Sequence, residues 1–327
     1  MEVGNTPIVE LDGVYAKLEC VNPTGSIKDR MAKFIIEESE KRGLLRKGMT
    51  IVEATSGNTG IALSYFAKQK GYSAVIIMPV SVTIERKELV RKLGAQLILC
   101  SSKGGFREAV RIRDEMAKNE RFFSTDQFSN QLNIECHYKT TGREIIQQLE
   151  EKSVAADAFV AGVGTGGTLI GVARALREVN PMAHIAAVEP AESPVMSGGT
   201  PRPHDIPGIG DGFVPVIVRG EKSVLNPLID EVIGIRSKDA IKASAFIANT
   251  HGYCVGISSG ANYLAARRLT REYRSVVTVF PDGFTRYLSM GLGASGVCSY
   301  HGKACDRFAA WLQKYEAGTT SLPSQAL

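Results

Sequence analysis

The sequence predicts an α/β protein: two doubly wound domains with parallel twisted sheets. Three observations carry this. Short apolar runs alternate with helix-period segments, the rhythm of parallel sheets covered by helices on both faces. The chain has 327 residues, more than one hydrophobic core usually serves. Two glycine-rich segments each stand between a strand-like run and a helical one.

In chain order, Thr50–Ala54 reads as a strand, followed by a polar loop and the helical stretch Ile61–Ala67. Further buried strands are expected at Ser73–Met78, Gln96–Cys100, Ala158–Ala161, His184–Val188 and Val276–Phe280, each a short run rich in apolar residues. Helical spacing is expected over Ile84–Leu93, Phe106–Lys118, Gly142–Glu151, Leu169–Glu178 and Ala261–Tyr273. Pro201 to Gly220 is rich in Pro and Gly without clear period, which predicts a functional loop rather than a linker. No short-period repeat is visible.

Hydrophobic content of 44% and charged content of 22% exclude a disordered or fibrous chain. The net charge of +5 comes from scattered residues, so nucleic acid is not an expected partner. No apolar run is long enough for a membrane span, and no secretory signal is visible, which predicts a cytoplasmic protein. The six cysteines show no paired framework and read as buried thiols in a reducing compartment. Cys298, His301 and Cys305 have loosely ligand-like spacing but make a poor zinc signature, so no metal is expected.

Lys28 is the first candidate for chemistry. The segment Asn22-Pro23-Thr24-Gly25-Ser26-Ile27-Lys28-Asp29-Arg30 turns from an extended loop into a helix. Ser26 is the expected N-cap, with Asp29 as a shortened capping-box partner. Lys28 then sits in the first helical turn, where the positive end of the dipole disfavours an ammonium. A lysine with a lowered pKa attacks carbonyl carbon. A solvated lysine at a helix start would give the same local sequence.

Two loops bear on that choice. Thr55-Ser56-Gly57-Asn58-Thr59-Gly60 places hydroxyls and backbone N–H groups at a helix N-terminus, which favours an anion such as a carboxylate. Gly162-Val163-Gly164-Thr165-Gly166-Gly167-Thr168 opens the next helix and suits a phosphate. It also satisfies G-x-G-x-x-G, with Glu189 where a ribose-binding acid is expected, so a dinucleotide stays open here.

Taken together these segments resemble the pyridoxal-phosphate enzymes of the cysteine synthase (O-acetylserine sulfhydrylase) and cystathionine β-synthase group. The resemblance also runs through Gly4-Asn5-Thr6-Pro7, Lys17-Leu18-Glu19, Ile84-Glu85-Arg86, Gln127-Phe128-Ser129-Asn130 and Thr140-Thr141-Gly142. It closes with Gly208-Ile209-Gly210, Gly256-Ile257-Ser258-Ser259-Gly260 and Pro281-Asp282-Gly283. It implies the tryptophan synthase β-like fold, type II among these enzymes, with the cofactor in the cleft between domains. The implied division is 1–21 as the start of a large domain, 22–133 as a small mobile domain and 134–327 as the rest. The tail beyond 301, with Phe308 and Trp311, lies outside the motifs. A homodimer is expected.

The resemblance implies that Lys28 carries pyridoxal 5′-phosphate and that Gly164, Thr165, Gly166, Gly167 and Thr168 bind its phosphate. Asn58 would meet the ring oxygen, and Ser258 the ring nitrogen. A hydroxyl there does not hold that nitrogen protonated, which favours β-elimination. The substrate carboxylate would dock on Thr55, Ser56, Gly57 and Thr59 with Gln127 nearby, and Gly210 and Asp211 would border the substrate. Freed Lys28 would take the α-proton, the β-substituent would leave to give an aminoacrylate, and a thiol or sulfide would add. The leading expectation is O-acetylserine plus sulfide giving L-cysteine and acetate.

Alternatives stay open at this point. Asp211 stands where many sulfhydrylases have a small uncharged residue, which suggests β-replacement or desulfhydration with L-cysteine or serine as donor. The pocket loop Gly208–Phe213 has no arginine for a phosphate leaving group, which argues against O-phosphoserine. More distant are a nicotinamide-dependent oxidoreductase and a non-catalytic binding protein.

Overall fold

The computed structural model describes residues 2–101, 105–220, 225–290 and 292. The first half carries β1 (Ile8–Leu11), β2 (Val14–Leu18), α1 (Lys28–Lys41), β3 (Thr50–Ala54), α2 (Asn58–Lys70), β4 (Ser73–Pro79), α3 (Ile84–Lys92), β5 (Gln96–Cys100), α4 (Gly105–Ala117) and β6 (Phe122–Ser124). The second carries α5 (Gln131–His137), α6 (Arg143–Glu150), β7 (Ala158–Gly162), α7 (Gly167–Val179), β8 (His184–Pro190), β9 (Glu231–Ile235), α8 (Ser237–Phe246), α9 (Ile257–Leu269) and β10 (Val276–Phe280).

Among the described residues ten strands form two sheets. One has the order β1-β2-β10-β7-β8-β9, the other β5-β4-β3-β6. All pairings are parallel except β1 with β2, an edge hairpin turned by Asp12 and Gly13, both at positive φ. Alternate residues of one strand serve opposite faces. Phe159 and Ala161 of β7 enter one core cluster, Ala158 and Val160 another. Ala74, Ile76 and Met78 of β4 likewise part from Val75 and Ile77. Because both faces are buried, these strands read in sequence as unbroken apolar runs.

Strand order places the ligand sites. In the smaller sheet the chain winds outward from β3 through β4 to β5, then crosses to β6 on the other side of β3. In the larger sheet it winds from β7 to β8 and β9, then returns to β10 on the other side of β7. Each reversal leaves a crevice beyond the strand ends. Thr55–Gly57 follows β3, Val163–Gly166 follows β7 and Pro281–Gly283 follows β10.

The start of α1 is held by a buried charge network. Arg30 donates to Glu19 through Nε at 2.7 Å and to Glu144 through Nη1 at 2.6 Å. Lys17 Nζ lies 2.9 Å from Glu144 and donates to the Thr6 carbonyl. These contacts tie α1 to the ends of β2 and the first turn of α6.

Most expected elements lie within two residues of those observed. The exceptions are Ile61–Ala67, which is found as the longer α2, Asn58–Lys70, and Ala261–Tyr273, which is found as α9, Ile257–Leu269. Ser258, Ser259 and Gly260 look loop-forming but lie inside the helix. Gly260 is there because a Cβ would stand 2.1 Å from the Ala240 carbonyl oxygen of α8. The capping box is also corrected. The cap position of α1 is Ile27 rather than Ser26; Ser26 Oγ, one residue earlier, accepts from the Lys28 N–H at 3.3 Å, and Asp29 turns away and accepts from the Thr24 N–H and hydroxyl. Cys20, Cys100 and Cys136 are buried thiols outside any disulfide, whereas Cys254 is disulfide-bonded, which corrects the reading of the cysteines as thiols throughout. Cys298, His301, Cys305, Phe308 and Trp311 lie outside the described residues.

Candidate active site

The crevices at the two strand-order reversals open into one cleft of about 800 Å³, counted out to solvent. Lys28, Thr55, Ser56, Asn58, Thr59, Gln127, Gly164, Thr165, Gly166, Thr168, Asp211 and Ser258 all line it. Gly210 does not line it; it lines an adjoining pocket that shares Ser56, Arg86 and Asp211 with the cleft. Gly57 and Gly167 sit behind the wall. Gly57 has φ 152°, and a Cβ there would fall 2.1 Å from the Arg86 side chain. The Gly167 N–H is turned to the Thr165 hydroxyl at 3.4 Å.

Lys28 is half-buried at the cleft floor. Burial lowers its pKa, and the charges of Asp211 and Asp282 oppose this. The largest cause is therefore desolvation, which the local sequence does not show. Asp211 is the reciprocal case: burial raises its pKa, opposed by His204 and Lys28. His204 staples the loop that presents it, since Nε2 donates to the Gly210 carbonyl at 2.8 Å and Nδ1 accepts from the Ile206 N–H at 3.3 Å.

The loop after β3 is preset from behind. Thr59 donates to Gln127 Oε1 at 2.7 Å, and Gln127 Nε2 donates to the Ala54 carbonyl at 2.9 Å. Thr55 Oγ1 accepts from the Gly57 N–H at 2.9 Å. Gln127 thus braces the loop, and the Gly57 N–H is already engaged.

Two motif residues without an assigned role in the sequence, Arg86 and Asp282, prove to line the cleft. Asp282 Oδ2 accepts from Asn58 Nδ2 at 2.6 Å and from the Tyr287 hydroxyl at 2.7 Å. Arg86 Nη2 stands 4.0 Å from it and the guanidinium lies over the Tyr287 ring. Asp282 Oδ1 and Arg86 Nε are buried without a hydrogen-bond partner among the described residues. No local pattern announced either, because both act through long-range contacts. Phe106, Phe128 and Phe213 close the rim, with ring centroids 5.1 to 6.4 Å apart.

These residues fit pyridoxal phosphate. A half-buried amine faces a loop of threonines and glycines at the N-terminus of α7, and polar atoms with unmet capacity border the space between. A dinucleotide fits less well. Glu189, the expected ribose acid, accepts from the Met196 and Ser197 N–H groups at 2.7 and 3.1 Å and so is committed to its own loop. Among the described residues no cluster of His, Cys, Asp and Glu could hold a metal ion, and no helix is long and apolar enough to cross a membrane.

The chain belongs to the pyridoxal-phosphate dependent enzyme family, which matches residues 1–282. It is 42% identical over 301 residues to a cysteine synthase from Staphylococcus aureus, covering 89% of this chain and 94% of that protein. A hydrogen sulfide-producing enzyme from Fusobacterium nucleatum superposes with a TM-score of 0.82 at 40% identity, covering 89% of both chains. Cysteine synthase from Entamoeba histolytica superposes with a TM-score of 0.81 at 35% identity, covering 95% of this chain and 94% of that one. The protein is therefore a pyridoxal-phosphate-dependent enzyme of the tryptophan synthase β-like fold.

Proposed function

We propose that this enzyme carries out β-replacement on an O-activated serine, with O-acetylserine and sulfide giving L-cysteine and acetate. The carrying observation is the convergence of Lys28, the Thr55–Thr59 loop and the Gly164–Thr168 loop on one cleft. The similarity to cysteine synthases supports the substrate pair.

Lys28 Nζ would attach the cofactor, Asn58 and Ser258 would border its ring, and Gly164 to Thr168 would receive its phosphate. When bound, pyridoxal phosphate supplies the electron sink that weakens the bonds at Cα and Cβ of an amino acid. Burial favours the neutral Lys28 amine, so once displaced it can accept the α-proton. Thr55, Ser56 and Thr59 would orient the substrate carboxylate, and Phe106, Phe128 and Phe213 would exclude water.

One observation favours a second donor. Asp211 brings a carboxylate into the cleft opposite Lys28, where it would repel sulfide anion and could take a proton from a thiol or water. This supports L-cysteine or serine as donor, with sulfide or water released. Likeness to a sulfide-producing enzyme points the same way. Initial rates with O-acetylserine plus sulfide, against cysteine and serine with thiol acceptors, decide between them. Inactivity with every donor would remove both readings.

Residues 22–133 are read as the mobile part that closes on the carboxylate, between 1–21 and 134–327. Scattering that shows no compaction on substrate binding would remove this. The enzyme is read as a cytoplasmic homodimer, the dimer supported by exposed Ile84 and Leu288 on touching segments. Sedimentation at monomer mass would refute the dimer.

A further inference from the structure

Helix α5 and the π-helical turn after it, Tyr138–Gly142, carry three buried polar side chains one turn apart: Asn133, His137 and Thr141. Asn133 and His137 reach the segment that opens α7, and Thr141 stands behind His137. Asn133 Nδ2 donates to Thr165 Oγ1 at 2.9 Å and to the Gln127 carbonyl at 2.8 Å. Thr165 Oγ1 also accepts from the Gly167 N–H at 3.4 Å. With both lone pairs engaged, the Thr165 hydroxyl can only donate, and Thr165 lines the cleft.

The same logic extends to Thr168, through a histidine. His137 Nδ1 lies 2.9 Å from Thr141 Oγ1, and its Nε2 lies 3.3 Å from Thr168 Oγ1. Burial, aided by the charges of Lys28 and Arg30, holds the His137 pKa well below its ordinary value, so the ring is neutral. A neutral imidazole has one donor and one acceptor. If Thr141 donates to Nδ1, the proton sits on Nε2 and points at Thr168. Thr168 then accepts from behind and turns its own O–H toward the cleft.

We propose that Thr141 and His137 form a hydroxyl–imidazole relay that, with Asn133, presets Thr165 and Thr168 as hydrogen-bond donors to the phosphate of the cofactor. The proposal rests on the reading of Gly164–Thr168 as the phosphate loop. His137, Thr141 and Asn133 are positioning residues, since none of the three borders the cleft. Orienting the donors before binding avoids a cost that binding would otherwise carry.

The test strips the enzyme of cofactor and titrates it with pyridoxal 5′-phosphate and, separately, with pyridoxal, which lacks the phosphate. Thr141→Val should weaken the phosphate form by about three- to tenfold, the scale of one hydrogen bond. It should leave pyridoxal unchanged and shift the phosphorus NMR signal of the bound phosphate. Thr141→Ser should restore wild-type behaviour, and Thr141→Val should add nothing in a Thr168→Val background. Unchanged affinity, or equal weakening of both ligands, overturns the relay. If Thr168→Val itself leaves phosphate-form affinity intact, the phosphate-loop reading fails instead. Should Thr141→Val not fold, His137→Gln and His137→Leu decide. The amide donates without help from Thr141 and should bind the phosphate form more tightly than the leucine variant does; equal affinities overturn the relay.

Discussion

Arg30 Nη1 lies 2.6 Å from Glu144 Oε1, and this largely buried pair anchors the first turn of α1 two residues beyond Lys28. Arg30 is two residues beyond Lys28, and its other partner, Glu19, is wholly buried. Removing one partner of such a pair leaves an uncompensated buried charge. Arg30→Met is expected to destabilise the fold by roughly 3–5 kcal/mol. A denaturant midpoint within experimental error of wild type would refute this.

The same network predicts a pH dependence. Burial alone would raise the Glu144 pKa, but the hydrogen bonds and charge of Arg30, with Lys17, bring it from 4.5 down to about 2. A depressed carboxylate contributes stability above its unfolded pKa and loses it as pH falls through the folded one. Stability should therefore drop between pH 4.5 and about 2. Glu144→Gln should be less stable at neutral pH and show a flatter acid limb. Parallel acid limbs for the two proteins would exclude Glu144.

Lys28→Ala is expected to abolish covalent attachment of the cofactor while the fold persists. The measurement is the visible absorbance of the protein after borohydride reduction and dialysis. A variant that retains reducible covalent cofactor and normal turnover would place the attachment elsewhere.

Ser258 lines the cleft from the first turn of α9 and is 3% exposed. Ser258→Asp should abolish most turnover, because it buries a new carboxylate beside the cofactor ring. Ser258→Ala should cost only about one hydrogen bond, 0.5–1.5 kcal/mol of activation or binding free energy. Equal rates for wild type and the aspartate variant would remove Ser258 from the ring site.

Asp211→Asn keeps shape and removes charge. Cofactor binding and the first half-reaction should be unchanged, while the second half-reaction with water or thiols slows by about 10²–10⁴-fold if Asp211 is the proton acceptor. Because burial raises the Asp211 pKa, the acid limb of that step should be displaced upward from that of an ordinary aspartate and vanish in the variant. Stopped-flow rates identical to wild type with every nucleophile would leave Asp211 a loop residue and O-acetylserine plus sulfide the sole reading.

The sequence by itself determined the central strands β3, β4, β5, β7, β8 and β10, but not β1, β2, β6 or β9, and three of the segments that meet in the cleft. Strands buried on both faces must be apolar throughout, as Ala74 to Met78 and Ala158 to Ala161 are, so local composition reveals them. Lys28, Thr55–Gly60 and Gly162–Thr168 were legible because loop-to-helix junctions carry their ligand donors in consecutive residues. Tertiary structure decided the rest. The start of α9 depends on the close approach of Gly260 to Ala240, which no local propensity encodes. Arg86 and Asp282 enter the cleft because α3 and the end of β10 meet across it. Asn133 and His137 gain Thr165 and Thr168 as partners only when α5 packs against α7. The charge that tunes Lys28 comes from Asp211 and Asp282, far along the chain, because electrostatics follow distance in space and burial rather than order in sequence.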